Sequence, residues 1–220
     1  KDKDHFQFNL NLAIAYFGKN DFINAKKYFE VANRIDSNSD ELKKNYGLYF
    51  LYKQNYKKAW ELADGTLKLQ NFYLPEAWIN NVKKKLWNGE IIGRNSKILV
   101  IKEQGVGDEI LYSSIYPDLL KKFPHVKIES EKRLLDLFKK SYANENAFIP
   151  YLSISESKEK LKEFKFVIMA GTLGRLFRNS IEDFPKYNCL IADTLLERKI
   201  FSKVNKISNK KKIGISWRSK

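Results

Sequence analysis

Apolar residues in the first seventy positions recur at the three- and four-residue spacing of amphipathic helices. Two sets of positions show this spacing most clearly: Leu10, Ala13, Ile14 and Phe17, then Ala25, Tyr28, Phe29 and Ala32. Because residues three and four apart lie on one face of a helix, each set predicts a helix with one buried side. The polar pairs Asn20-Asp21 and Gln54-Asn55 interrupt the pattern and predict turns between helices.

The same region repeats itself at a spacing of 34 residues. The equivalent pairs are mostly small or aromatic: Ala13 and Gly47, Tyr16 and Phe50, Phe22 and Tyr56, Ala25 and Ala59, Phe29 and Ala63. Small residues allow two helices to approach closely, and large rings fill the gaps between them. This pattern resembles the tetratricopeptide repeat, with departures at Ser37 and Thr66. The resemblance implies helical hairpins over residues 1–72, which either bind a partner or support the next domain.

A different pattern begins at Ser96, after a predicted helical linker over residues 73–95. Short apolar runs that predict buried strands alternate with amphipathic stretches that predict helices. The strands are expected over residues 97–102, 126–130, 147–151 and 166–170, and the helices over 109–123, 131–140 and 156–164. Pro117 is expected to bend the first of these helices or to start its second segment. The predicted fold class is therefore α + α/β, with helical hairpins followed by a Rossmann-like parallel-sheet domain over 96–212.

The first predicted strand leads into a glycine-rich turn over residues 103–108, with the sequence EQGVGD. The turn lacks the pattern of a phosphate-binding P-loop, and Ile110 stands where a dinucleotide fingerprint has its third glycine. Gly105 and Gly107 let a ligand approach the backbone at the carboxyl end of the strand. Asp108 falls in the first turn of the next helix, where it either caps the helix or faces the crevice.

Two arginines and one lysine near predicted strand ends have two interpretations each. Arg175 and Arg178 follow the turn after the fourth strand, where they face either a ligand crevice or solvent. Lys102 ends the first strand, and we expect solvation there rather than a ligand contact.

The net charge of +15, with a pI of about 9.6, raises the question of a polyanionic partner. Lysine supplies most of the excess and is spread along most segments, whereas base and phosphate recognition favours arginine. Solvated lysine faces are the favoured interpretation, and no specific nucleic-acid partner is expected. Attraction to anionic lipid headgroups, with a peripheral position at a membrane, is an alternative.

The single cysteine, Cys189, argues against a disulfide framework and a cysteine-rich zinc site. The apolar runs are far shorter than the roughly 18 residues of a membrane span. We therefore expect a cytoplasmic protein without a metal or other cofactor. The chain opens on Lys1 and ends just after an apolar run at 213–217, so we also expect it to be a fragment.

Five segments stand in an order that is typical of one family. They are LWNGE at 86–90, the apolar run 97–102, EQGVGD at 103–108, Tyr116-Pro117, and IGISW at 213–217. Together they resemble bacterial proteins that join tetratricopeptide repeats to a heptosyltransferase-like glycosyltransferase. Asn88 stands where the family's linker has an acidic residue, and Ile115 stands where the family has an arginine.

The resemblance implies a GT-B fold, in which two Rossmann-like halves face a cleft, with the second half opening at residues 213–220. It implies transfer of a sugar from a nucleotide sugar to a glycan or protein acceptor, with Asp108 as the base on the acceptor hydroxyl. Gln104, Gly105, Gly107, Arg175 and Arg178 are the candidate substrate-binding residues. This half alone is expected to be inactive. The alternative function is a non-catalytic scaffold protein with a degenerate α/β domain.

Overall fold

Two helical hairpins form the first part of the computed structural model, which describes residues 5–63, 81–102, 105–151, 159–207, 211 and 213. The four helices are α1 (Phe6–Gly18), α2 (Phe22–Ile35), α3 (Asp40–Tyr52) and α4 (Tyr56–Ala63). The helices α1 and α2 pack along their length, as do α3 and α4. The predicted hairpins are therefore confirmed. Thr66 and residues 73–80 of the predicted linker lie outside the described residues; in the rest of the linker, 81–95, only residues 81–83 are helical.

The two turns inside the hairpins have the same geometry. Asn20 and Gln54, which are 34 positions apart, both take a left-handed backbone conformation, with φ of 61° and 55°. Asp21 N and Asn55 N then each donate a hydrogen bond of 2.9 Å to a carbonyl five residues earlier. Such bonds satisfy carbonyls that the helix end leaves free. The 34-residue spacing in the sequence therefore corresponds to a turn geometry that the two hairpins share.

The core of the hairpins combines small and aromatic side chains. Ala13, Ala25 and Ala59 are fully buried, which lets neighbouring helices approach. Phe29 of α2 stacks on Tyr46 of α3, with ring centroids 4.8 Å apart and planes 14° from parallel. Burial raises the pKa of the Tyr46 hydroxyl to about 12. Aromatic packing therefore joins the first hairpin to the second.

A four-stranded parallel sheet follows the hairpins. Its strands are β1 (Ile98–Ile101), β2 (Lys127–Ser130), β3 (Phe148–Pro150) and β4 (Phe166–Met169). Their order across the sheet is β3-β2-β1-β4, and each neighbouring pair is parallel. All four predicted strands are confirmed. The chain moves outward from β1 to β3 and returns on the other side of β1, so the order reverses between β1 and β4.

Both faces of the sheet are covered. Ile98 and Val100 lie in one apolar cluster, whereas Leu99 and Ile101 lie in another. Alternate residues of a strand point to opposite faces, so a strand buried on both sides must be apolar throughout. This requirement explains why β1 is a continuous apolar run.

Five helices whose bounds lie within the described residues accompany the sheet. They are α5 (Val106–Tyr112), α6 (Tyr116–Lys122), α7 (Leu135–Ser141), α8 (Leu173–Phe177) and α9 (Thr194–Ile207). Pro117 lies in the first turn of α6, which confirms that it starts a second helical segment. The sequence patterns did not predict α8 or α9. The predicted run 213–217 falls outside the described residues except for Ile213.

The linker motif at 86–90 covers the outer edge of β4. Trp87 N donates a hydrogen bond of 2.8 Å to Val167 O, and the Trp87 ring meets Phe123 edge-on at 5.2 Å. Gly89 has a φ of 97°, and a Cβ at this position would lie 2.7 Å from Leu176 Cδ2. Its conformation therefore favours glycine, whereas the Leu176 methyl group lies at the end of a flexible side chain that can move.

The second hairpin is docked on the sheet domain through one tryptophan. Trp60 of α4 lies over Gly174 of α8, where a Cβ would fall 2.7 Å from the indole ring. Trp60 Nε1 donates a hydrogen bond of 2.5 Å to Arg178 O. Tyr56 and Phe184 add a ring contact at 4.9 Å. The hairpins and the sheet therefore share an interface at the helix that follows β4.

Candidate functional site

The sheet topology defines where a ligand would bind. In open parallel sheets, ligands bind at the carboxyl ends of the strands, where the strand order reverses. That point lies between β1 and β4 in this chain. The helix after β1, α5, lies against the turn after β4, residues Ala170–Thr172. The turns after β1 and β4 therefore lie side by side at the edge of the sheet where a ligand crevice is expected.

The glycines of the turn after β1 leave open space at this edge. Gly105 and Gly107 are exposed, and neither has a positive φ. No described atom lies within 4 Å of a Cβ built on Gly107, and a Cβ on Gly105 would meet only Asp108 Oδ2, at an ordinary 3.6 Å. Neither backbone conformation nor packing in the described part of the chain requires glycine here. Gln104, the third predicted residue of this turn, lies outside the described residues.

Asp108 caps the helix on which it lies. Its Oδ2 accepts a hydrogen bond of 3.1 Å from Gly105 N, which α5 leaves without a partner. Within the described part of the chain, Asp108 Oδ1 accepts no hydrogen bond, and the side chain is half-buried. The carboxylate therefore has a structural role and still offers one oxygen beside the crevice.

The neighbouring residue, Glu109, forms a buried ion pair that the sequence analysis missed. Its side chain is 1% exposed, and its Oε1 lies 3.0 Å from Lys102 Nζ, at the end of β1. Its Oε2 accepts hydrogen bonds from Ser130 Oγ and Glu131 N, each of 2.9 Å. The expectation that Lys102 is solvated at the strand end was wrong, because Glu109 holds the ammonium group.

This cluster joins the start of α5 to the ends of β1 and β2. A second buried carboxylate, Glu129, accepts a hydrogen bond of 3.4 Å from Lys102 N. Buried charges are stable only when they are paired and hydrogen-bonded. The contacts of Glu109 therefore fix the position of the turn that carries Asp108. The signal in the sequence was Glu129, a charged residue inside a predicted buried strand.

Arg178 is buried among protein groups. Its Nη2 donates to Ser114 O at 2.7 Å and lies 2.8 Å from the carboxylate of Asp118, and its Nη1 donates to Phe177 O at 2.8 Å. The side chain is 3% exposed. Its placement therefore does not support the predicted ligand contact, because the guanidinium already bridges α8 and α6.

Arg175 points toward the linker. Its Nη2 donates a hydrogen bond of 3.2 Å to Asn88 O. Thr172, on the turn after β4, has a buried hydroxyl oxygen with no hydrogen-bond partner in the described part of the chain. Arg178 Nε is likewise buried without a hydrogen-bond partner among the described residues, so Thr172 and Arg178 both keep unused hydrogen-bonding capacity after β4.

A cavity of about 360 Å³ and another of about 530 Å³ lie away from the turn. The larger one follows the flank of α5, where Ile110, Ser113 and Cys189 line it. Burial raises the pKa of the Cys189 thiol, which keeps it protonated and unreactive near neutral pH. Among the described residues, no three His, Cys, Asp or Glu side chains are grouped to hold a metal ion.

Comparisons with known proteins give one weak match. The chain is 22% identical over 145 residues to Protein FlbA of Caulobacter vibrioides, an alignment that covers 60% of this chain and 24% of that protein. The chain thus spans about a quarter of this relative's length. No protein-family model matches the chain, and no solved structure gives a significant match. No described helix is long and apolar enough to cross a membrane.

Proposed function

We propose that this chain is the acceptor-side half of a glycosyltransferase that uses a nucleotide sugar. The observation that carries the proposal is the open turn at Gly105–Asp108, which stands where the strand order reverses. Two glycines that packing does not require leave room for a ligand to approach the backbone. The resemblance of the segments at 86–90 and 103–108 to heptosyltransferase-like proteins supplies the type of reaction.

The proposed chemistry assigns one role to Asp108. The acceptor hydroxyl oxygen attacks the anomeric carbon of the donor, and the bond from that carbon to the nucleoside diphosphate breaks. Asp108 Oδ1 takes the hydroxyl proton as the new glycosidic bond forms. The leaving diphosphate departs with the electron pair of the broken bond, and groups outside this half stabilise its charge. The helical hairpins hold a partner or the acceptor beside the sheet domain.

The test compares turnover in the intact protein and in its Asp108→Asn variant. The measured quantity is nucleoside diphosphate released from a panel of UDP-, GDP-, ADP- and dTDP-sugars supplied with cell-derived glycans and proteins. Asparagine still accepts the hydrogen bond from Gly105 N, so thermal stability is expected to stay the same. Turnover is expected to fall by about 10²–10⁴-fold, because asparagine cannot take a proton at this position.

Asp136→Asn is the matched control, since Asp136 is an exposed aspartate in the first turn of another helix, α7. It is expected to leave turnover unchanged. Equal turnover in the wild type and the Asp108→Asn variant would remove the catalytic role of Asp108. Absence of release from every donor would remove the enzymatic proposal itself.

The second candidate is a non-catalytic scaffold protein. The observation in its favour is that the candidate polar residues have structural partners, since Asp108 caps α5 and Arg178 bridges two helices. This function predicts that the Asp108→Ala variant loses stability through the lost cap, by about 1 kcal/mol, while every partner of the hairpins still binds.

A further inference from the structure

The helix α9 carries an apolar stripe whose side chains are mostly exposed. Leu196, Ile200, Val204 and Ile207 recur at i, i+4, i+8 and i+11 and so lie along one side of the helix. Ile200 is 51% exposed and Ile207 is 81% exposed, and only Val204 is half-buried. Two further large apolar residues, Leu195 and Phe201, are also exposed. Isolated exposed apolar residues are ordinary, but a continuous stripe marks an interaction surface.

The charges of the same helix are strongly one-sided. Four basic residues, Arg198, Lys199, Lys203 and Lys206, accompany a single acidic residue, Glu197. The following sequence adds Lys210, Lys211 and Lys212 with no acidic residue. A surface that meets a protein partner or a second copy of this chain would have to neutralise or bury part of this charge. A surface rich in anions complements it without any such cost.

The start of α9 is capped by an aspartate that also contacts the sheet domain. Asp193 Oδ1 accepts hydrogen bonds from Leu195 N and Leu196 N, at 2.9 and 2.8 Å, and its other oxygen lies 3.5 Å from Lys140 Nζ. These backbone hydrogen bonds are the main reason that the pKa of Asp193 is lowered, with Lys140 second. The carboxylate therefore stays charged and caps the helix at neutral pH.

We propose that α9 is a membrane-surface helix that binds anionic lipid headgroups, with Leu196, Ile200, Val204 and Ile207 entering the interface. Helices that combine an apolar stripe with a basic polar face lie in the plane of the bilayer surface in this way. Fourteen residues are too few to cross a bilayer, so the helix lies on the membrane and does not span it. The inference stands on α9 alone and does not depend on the proposed function.

The experiment is flotation of the intact protein with two kinds of vesicle at 100 mM salt. One kind is phosphatidylcholine alone, and the other contains about one-third phosphatidylserine. Binding to the anionic vesicles is expected to be at least about tenfold stronger, and to weaken as salt is raised. The double variant Leu196→Asp/Ile200→Asp tests the stripe, and Lys199→Glu/Lys203→Glu tests the charge. Each is expected to lower binding by about tenfold or more.

The matched controls are on the hairpins. Ile23→Asp changes one isolated apolar residue that is 84% exposed, and Lys44→Glu/Lys57→Glu reverses two exposed lysines. Both are expected to leave vesicle binding within about twofold of wild type, apart from the small general effect of net charge.

Three results would overturn the proposal. Equal binding to both kinds of vesicle, or to neither, would exclude recognition of anionic lipid. A dimer in sedimentation that the stripe variant converts to monomer would assign the stripe to a second copy of the chain. A large fall in the melting temperature of the intact protein with the stripe variant would show that another part of the same protein covers it.

Discussion

The segments that follow β1 and β4 lie side by side at one edge of the sheet, yet they contain glycine for different reasons. Gly174, after β4, is required because the Trp60 ring occupies the space of a side chain. Gly105 and Gly107, after β1, adjoin open space and have ordinary backbone conformations. The first glycine serves packing between the hairpins and the sheet. The other two are not explained by the described fold, and the proposed function accounts for them as room for a ligand at the turn after β1.

The charged residues beside the two turns show a similar division. Glu109 and Arg178 are buried and join elements that are distant in sequence. Asp108 is half-buried and bonds only within its own turn in the described part of the chain. A charged residue near a strand end is therefore a weak sign of a functional site until its partners are known. Burial with several partners indicates a role in holding the crevice together.

The largest effect is expected for Glu109→Ala, which removes the anchor of the turn after β1. Lys102, Ser130 and the backbone N–H of Glu131 would lose their shared acceptor in a buried site. We expect the free energy of unfolding to fall by about 3 kcal/mol, as when one partner of a buried pair is removed. Chemical denaturation measures this change.

Glu131→Ala is the control for that variant, because its carboxylate is partly exposed and pairs only loosely with Arg133, at 3.4 Å. Its expected cost is below about 1 kcal/mol. The double variant Lys102→Met/Glu109→Leu should recover much of the lost free energy of unfolding. Replacing a buried ion pair by two apolar side chains often leaves stability unchanged. Similar costs for Glu109→Ala and Glu131→Ala would show that Glu109 does not anchor the turn.

The next effect is expected for Gly174→Ala, which places a methyl group against Trp60. The indole is held by its hydrogen bond to Arg178 O, so it has little freedom to move away. We expect a loss of about 1–3 kcal/mol in the free energy of unfolding, as for other overpacked sites. Trp60→Leu in the same chain should restore part of it. If the stability losses of Gly174→Ala and Trp60→Leu simply add in the double variant, the packing explanation is contradicted.

The smallest effect, of opposite sign, is expected for Gly107→Ala. Alanine fits the open space and favours the helix, so stability should rise by up to about 1 kcal/mol. Under the proposed function, the same methyl group narrows the approach to the turn and lowers turnover. Thermal melting and nucleoside diphosphate release are measured on one preparation. A variant that is more stable and equally active would show that Gly107 is not needed for a ligand.

Much of the fold could be predicted from local patterns. The helices of the hairpins followed from apolar positions three and four apart, and their turns from Asn20-Asp21 and Gln54-Asn55. The four strands followed from short apolar runs, because a strand covered on both faces has no polar side. The helix α9 escaped prediction, since charged and polar residues separate its apolar positions along the sequence. Of the candidate site, Asp108 and the two open glycines were found at the expected turn, whereas the placement of Arg178 does not support its predicted contact.

The sequence alone determined the helices of the hairpins, the four strands, the α + α/β order and the position of the glycine turn after the first strand. These properties depend on residues a few positions apart, and their periodicity can be read directly. Only the tertiary structure decided which glycine is required by packing and which charge is buried. Trp60 meets Gly174 across more than a hundred residues, and Glu109 meets Ser130 across 21. Such contacts arise when the sheet and hairpins come together, and no local pattern records them.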